Sequence, residues 1–86
     1  MWHSYKTVKT LLRELPEPDL AGQWPENAQD ICNSISQKLE RQQQYFDKSS
    51  DNFKKSVCGR SLARMLYRLY AGVGQVEDYL RLHPRV

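Results

Sequence analysis

Long apolar runs, paired metal ligands and strand-like alternation are all missing from this chain of 86 residues. The longest uncharged apolar candidate, Leu69 to Val76, falls far short of the roughly 20 residues that span a bilayer. The first fourteen residues carry Lys6, Lys9, Arg13 and Glu14, which leaves no apolar signal core. A soluble cytoplasmic protein without membrane contact is therefore expected. Cysteine is scarce. Cys32 and Cys58 are too few for a disulfide-stapled scaffold, and both read as free packing thiols, buried or half-buried. With His3 and His83 they are scattered singly, without a Cys-x-x-Cys or His-x-x-x-His pair, so no metal site is expected.

Catalytic patterns are equally thin. Gly72 and Gly74 lack both the Lys-Ser/Thr ending and the preceding strand of a phosphate loop, so no cofactor is expected. Glu77 and Asp78 are adjacent and diverge by about 100° on a helix. Glu14, Glu17 and Asp19 read as a solvated acidic turn. His3 and His83 fall at the chain ends, where fraying is usual. These absences argue against an enzyme.

What remains is helical periodicity, punctuated by a few prolines and glycines. An all-α fold follows, a small bundle of three to four helices in one domain over residues 1–86. A chain this short buries only roughly 60–65% of its unfolded surface, so its core is small. The first helix is expected over about 4–15. Tyr5, Val8, Leu11, Leu12 and Leu15 form its apolar stripe, Ser4 caps it, Trp2 packs near its start, and Pro16 and Pro18 end it. Residues 16–24 are a connector anchored by Leu20 and Trp24. The second helix is expected over about 25–48, with Pro25 in its first turn. Ala28, Cys32, Ile35, Leu39, Gln42 and Phe46 step by four and three alternately, a heptad seam weakened by its glutamine. That seam suits the core of an antiparallel hairpin with the following helix. The alternative is a homodimer through Cys32, Ile35, Leu39 and Phe46.

Ser49, Ser50, Asp51 and Asn52 all favour caps and turns. A third helix is expected over about 51–71 and a fourth segment over 75–82, either continuous with it or bent at Gly72 and Gly74, and ended by Pro84. A turn centred near Ser50 keeps Cys58 away from Cys32, opposite the neighbourhood of Gln42, which excludes an internal disulfide. In the third helix Leu62, Met65, Leu66, Leu69 and Val73 share one face, while Arg60, Arg64 and Arg68 recur at four-residue steps on nearly the opposite one. Phe53 and Val57 point with the arginines, so the expectation is a bend at Gly59, or a first turn that packs on a different neighbour, or a place for both residues on the exposed functional face.

Charge is more informative in its placement than in its total of +3. Between Glu14 and Asp30 there are five acids and no Lys or Arg; between Asn52 and Val76 there are five bases and no acid. Either the acidic segment folds over the arginines, or the basic face is kept for an anionic partner.

A helix-turn-helix reading of Phe53 to Tyr70 fails. Lys55 stands where that motif needs a small buried residue, and Arg60 and Arg68 stand where it needs apolar ones. The tripeptide Leu66-Tyr67-Arg68 resembles the signature of mitochondrial LYR-motif proteins, but it covers three residues and lies far from the first helix, so no family follows from it. The expected site is a mixed basic and aromatic helix face made of Phe53, Lys54, Val57, Arg60, Arg64, Tyr67 and Arg68. The expected role is a non-catalytic regulator, adaptor or chaperone-like subunit with a protein partner, because arginine and tyrosine mark protein–protein hot spots. The alternative is a nucleic-acid-binding accessory protein whose arginines meet phosphates.

Overall fold

The computed structural model describes residues 3–83, and side chains from Tyr5 onward. Expectations for Trp2 and Pro84 and for the side chain of Ser4 lie outside the described residues. Four helices and no strand are found among the described residues: α1 His3–Glu14, α2 Ala28–Asp47, α3 Asp51–Lys55 and α4 Val57–Leu82. The all-α expectation holds, and α2 and α4 form the antiparallel hairpin at its centre.

Periodicity explains the packing. Val8 and Leu11 of α1 are buried against Ala28, Cys32, Ile35 and Leu39 of α2 and Leu62, Leu66, Leu69, Val73 and Val76 of α4, each set recurring at helical steps. The heptad seam of α2 is thus occupied within one chain. Of the four residues of the homodimer alternative, Cys32, Ile35 and Leu39 are buried within this one chain and Phe46 is half-buried. Gln42 sits in the same seam, 8% exposed, and its side-chain carbonyl Oε1 has no hydrogen-bond partner.

Helix directions follow from neighbours. Leu15, at the end of α1, reaches Gly72, next to the Val73 that meets Cys32 near the start of α2, while Lys6 shares a hollow with Lys38 further along α2, so α1 runs antiparallel to α2. The Cys32 thiol lies 3.9 Å from the Val73 carbonyl, while Gln43 and Phe46 share a groove with Ala63 and Tyr70, so α2 runs antiparallel to α4. Leu15, just past α1, reaches the flank of α4 at Gly72. The particle is elongated, 48 × 22 × 18 Å, because α4 alone is about 39 Å long and α1 only about 18 Å.

Two boundaries differ from the sequence expectation, and a third decides between its alternatives. First, α2 begins at Ala28, because Pro25 opens a separate turn in which the Ala28 N–H donates to the Pro25 carbonyl. Second, the chain breaks at Ser56 and not at Gly59. Ser56 is extended, closes α3 by donating its N–H and hydroxyl to the Phe53 carbonyl, and caps α4 by accepting from the Gly59 N–H. Gly59 instead lies where the two helices touch, since a Cβ there would stand 2.0 Å from the Phe53 carbonyl oxygen. Third, α4 runs unbroken through Gly72 and Gly74 to Leu82, because burial of Leu69, Val73 and Val76 outweighs a glycine cost of about 1 kcal/mol each.

The extra turn of α3 resets the register. A simple turn at Ser50 would bring Cys32 opposite Arg68, yet it meets Val73. Both cysteines are free as expected, but Cys58 is exposed instead of packed. The connector also departs from expectation. Trp24 is half-buried with its ring 5.6 Å from that of Tyr79, whereas Leu20 is fully exposed. Asp19 is more than a solvated acid: its carboxylate accepts from the Ala21 and Gln23 N–H groups and holds a tight loop that turns at Gly22, φ +80°.

Candidate functional site

The outer face of α4 gathers five of the seven expected site residues. Val57, Arg60, Arg64, Tyr67 and Arg68 are all exposed, Val57 at 83% and Tyr67 at 76%. From Val57 to Arg68 the stripe runs about 17 Å along the helix. Burial of the opposite stripe, from Leu62 to Val76, fixes the angle at which these side chains leave the molecule.

The other two expected residues serve the fold. Phe53 is half-buried and packs against the core from α3. Lys54 turns inward. Its Nζ donates to the Asp47 carbonyl at 2.8 Å and stands 5.9 Å from the Phe46 ring centroid, on the edge of cation–π range. The apolar character of the face therefore comes from Val57 and Tyr67, and its charge from the three arginines.

Those arginines are electrostatically uncompensated. Among the described residues none forms an ion pair; the pair present is Arg81 with Asp78, on the last turns of α4. Spaced four apart, Arg60/Arg64 and Arg64/Arg68 each repel by about 0.2–0.5 kcal/mol. Arg60 also lies at the end of the first turn of α4, which carries no acid and where the helix dipole disfavours a cation. The acidic 14–30 segment supplies no compensating ion pair. Glu14 and Asp30 line a hollow with Ile31 and Ser34 between α1 and α2.

A second feature adjoins this face and is absent from the sequence expectations. On the flank of α4 away from α1, Ala63, Leu66, Tyr67 and Tyr70 face Gln43 and Phe46 of α2 across a groove of ≈ 220 Å³. Tyr70 lies about 200° round the helix from Gly72, where Leu15 packs, so α1 leaves this side open. Partial burial, then Asp47, then Glu40 push the Tyr70 phenol up from its ordinary value. The α2 rim of the groove is thus acidic, and Arg60 and Arg64 stand along the α4 side. The 63/66/67/70 spacing is visible in the sequence, but its meaning depends on which flank α1 covers.

Burial, with a smaller effect from Glu77, raises the Cys32 thiol, the opposite of an activated nucleophile. Among the described residues no three His, Cys, Asp or Glu side chains are grouped to hold a metal ion, and no helix is long and apolar enough to cross a membrane. Comparison of the chain with protein-family models, curated proteins and solved structures finds no match.

Proposed function

We propose that this protein is a non-catalytic binding module that presents the outer face of α4 to an acidic surface of a protein partner. One observation carries the reading: Arg60, Arg64 and Arg68 are exposed, mutually repulsive and unpaired among the described residues, with exposed Val57 and Tyr67 set between and beside them. An acidic partner would relieve that repulsion, and the arginine guanidinium suits bidentate contacts with carboxylates. Tyrosine and valine supply apolar area that a purely phosphate-directed stripe does not need. This favours a protein over nucleic acid, as does a net charge of only +3.

The test is charge reversal of all three arginines to glutamate. Because the side chains are exposed, the variant should fold, which circular dichroism checks. Proteins retained by the wild-type chain from its native lysate should be lost roughly 10- to 100-fold in the variant, as expected for hot-spot arginines. An unchanged set of retained proteins overturns the reading. Gel shifts with DNA and RNA at low salt form the second arm. Tight binding that weakens steeply with salt would replace the protein partner with nucleic acid.

A further inference from the structure

We infer that the partner docks as an amphipathic α-helix in the groove between α2 and α4, taking the place of a fourth bundle helix. The inference rests on the protein-partner reading above and names the partner's shape and charge. The hairpin has two flanks. One holds α1, seated through Leu15 at Gly72. The other holds the open groove floored by Ala63 and Leu66 and walled by Phe46, Tyr67 and Tyr70.

Size favours a helix over a small ligand. At ≈ 220 Å³ the groove is smaller than the roughly 300–1,000 Å³ of small-molecule sites. A row of shallow apolar positions flanked by tyrosines is the form that receives anchors at i, i+3, i+4 and i+7 of a docked helix. Its α4 side repeats that spacing at Ala63, Leu66, Tyr67 and Tyr70, and small Ala63 allows close approach of a backbone. The two rims differ in charge: Arg60 and Arg64 on α4, and on α2 Glu40 and Asp47, both close enough to act on Tyr70, with the Lys54 cation at the Asp47 end beside Phe46. A complementary helix therefore has acids along the edge facing α4 and bases along the edge facing α2; its anchors fix its rotation and these edges fix the direction in which it lies.

The test uses the whole chain and two synthetic peptides of about 18 residues, or five helical turns. Both have leucine anchors at i, i+3, i+4 and i+7. One has glutamates along one edge of the anchor stripe and lysines along the other; the second mixes both charges on both edges, so that neither direction of docking matches the rims. The matched peptide should bind at least about tenfold more tightly than the mixed one. It should shift the backbone amide signals of Gln43, Ala63 and Tyr70, and Ala63→Trp should abolish binding by filling the groove. Tyr70→Ala, at a residue 47% exposed, should weaken it without threatening the fold. Equal affinity of the two peptides, or no binding by either, overturns the groove. So do shifts confined to Val57, Arg64 and Arg68, but that outcome leaves the basic face of α4 standing. A free protein that sediments as a dimer with Ala63 and Tyr70 protected makes a second copy the occupant and also overturns the inference. Loss of lysate partners in the triple-arginine variant, with Ala63→Trp harmless, separates failure of the groove from failure of the face.

Discussion

Replacing Gly59 and Gly74 in turn by alanine makes one chemical change twice in one helix, and the two outcomes should have opposite sign. Alanine is favoured over glycine inside a helix by about 1 kcal/mol. At Gly74 nothing lies within 4 Å of the new Cβ, so Gly74→Ala should stabilise by about 0.5–1 kcal/mol. At Gly59 the Cβ would stand 2.0 Å from the Phe53 oxygen, 2.8 Å from its carbon and 2.9 Å from the Lys54 Cα. All three are backbone atoms, which cannot move aside as a side-chain tip can. Relief has two routes. Lifting α3 off α4 gives up about 1–2 kcal/mol of Phe53 packing, since that ring is half-buried. Unwinding the first turn of α4 gives up the Ser56 cap, about 1 kcal/mol. Either route suffices, so the cheaper one sets the outcome: lifting α3 nets about 0–1 kcal/mol after the helical gain, and unwinding forfeits that gain and costs about 1 kcal/mol, so Gly59→Ala should destabilise by up to about 1 kcal/mol. Urea denaturation measures both variants. In thermal melts each kcal/mol corresponds to about 4–8 °C for a chain of this size. A Gly59→Ala protein stabilised as much as the Gly74→Ala protein would refute the placement of α3 against α4.

Two further outcomes follow from the core. Gln42→Met keeps the length of the side chain and removes a buried carbonyl without a partner, so it should raise stability by about 1 kcal/mol in urea; a loss of that size would mean that Gln42 is satisfied in solution. A thiol reagent should titrate one cysteine of the native protein, exposed Cys58, and reach Cys32 only on unfolding. Burial raises Cys32 above the ordinary thiol value of 9.0, so above that pH the unfolded chain gives up a proton that the fold retains. This stabilising contribution is whole below pH 9.0 and declines as pH rises through the raised value. Tyr70 adds to the decline above 10.0. Cys32→Val should flatten the Cys32 part of the slope in unfolding measured from pH 8 to 11.

Spacing along the chain reveals about half of the candidate site. Arg60, Arg64, Tyr67 and Arg68 can be placed on one exposed face because helical angle depends only on residue spacing. Phe53 and Lys54 leave that face because they belong to a different helix, with its own axis, once the chain breaks at Ser56. The signal for that break is a serine three residues before Gly59, the cap position of a new helix, but it competes with a glycine that also suggests a bend. Leu20 escapes expectation for a similar reason. An apolar residue in a connector is pulled inward only if the loop lets it turn, and Asp19 holds this loop in another conformation.

The helical class, the buried stripe of each long helix and the opposition of apolar and basic faces on α4 are all written in the amino-acid order. Each is a property of a single segment, set by spacing along one axis. The register of α2 on α4 is different, because five residues of α3 shift it by more than a helical turn and their effect exists only once three helices pack together. Packing likewise settles that α1 lies on one flank of the hairpin and leaves Phe46, Tyr67 and Tyr70 open on the other. Which of two similar flanks a short helix covers depends on close contacts such as Leu15 at Gly72. No spacing rule within one helix contains that information.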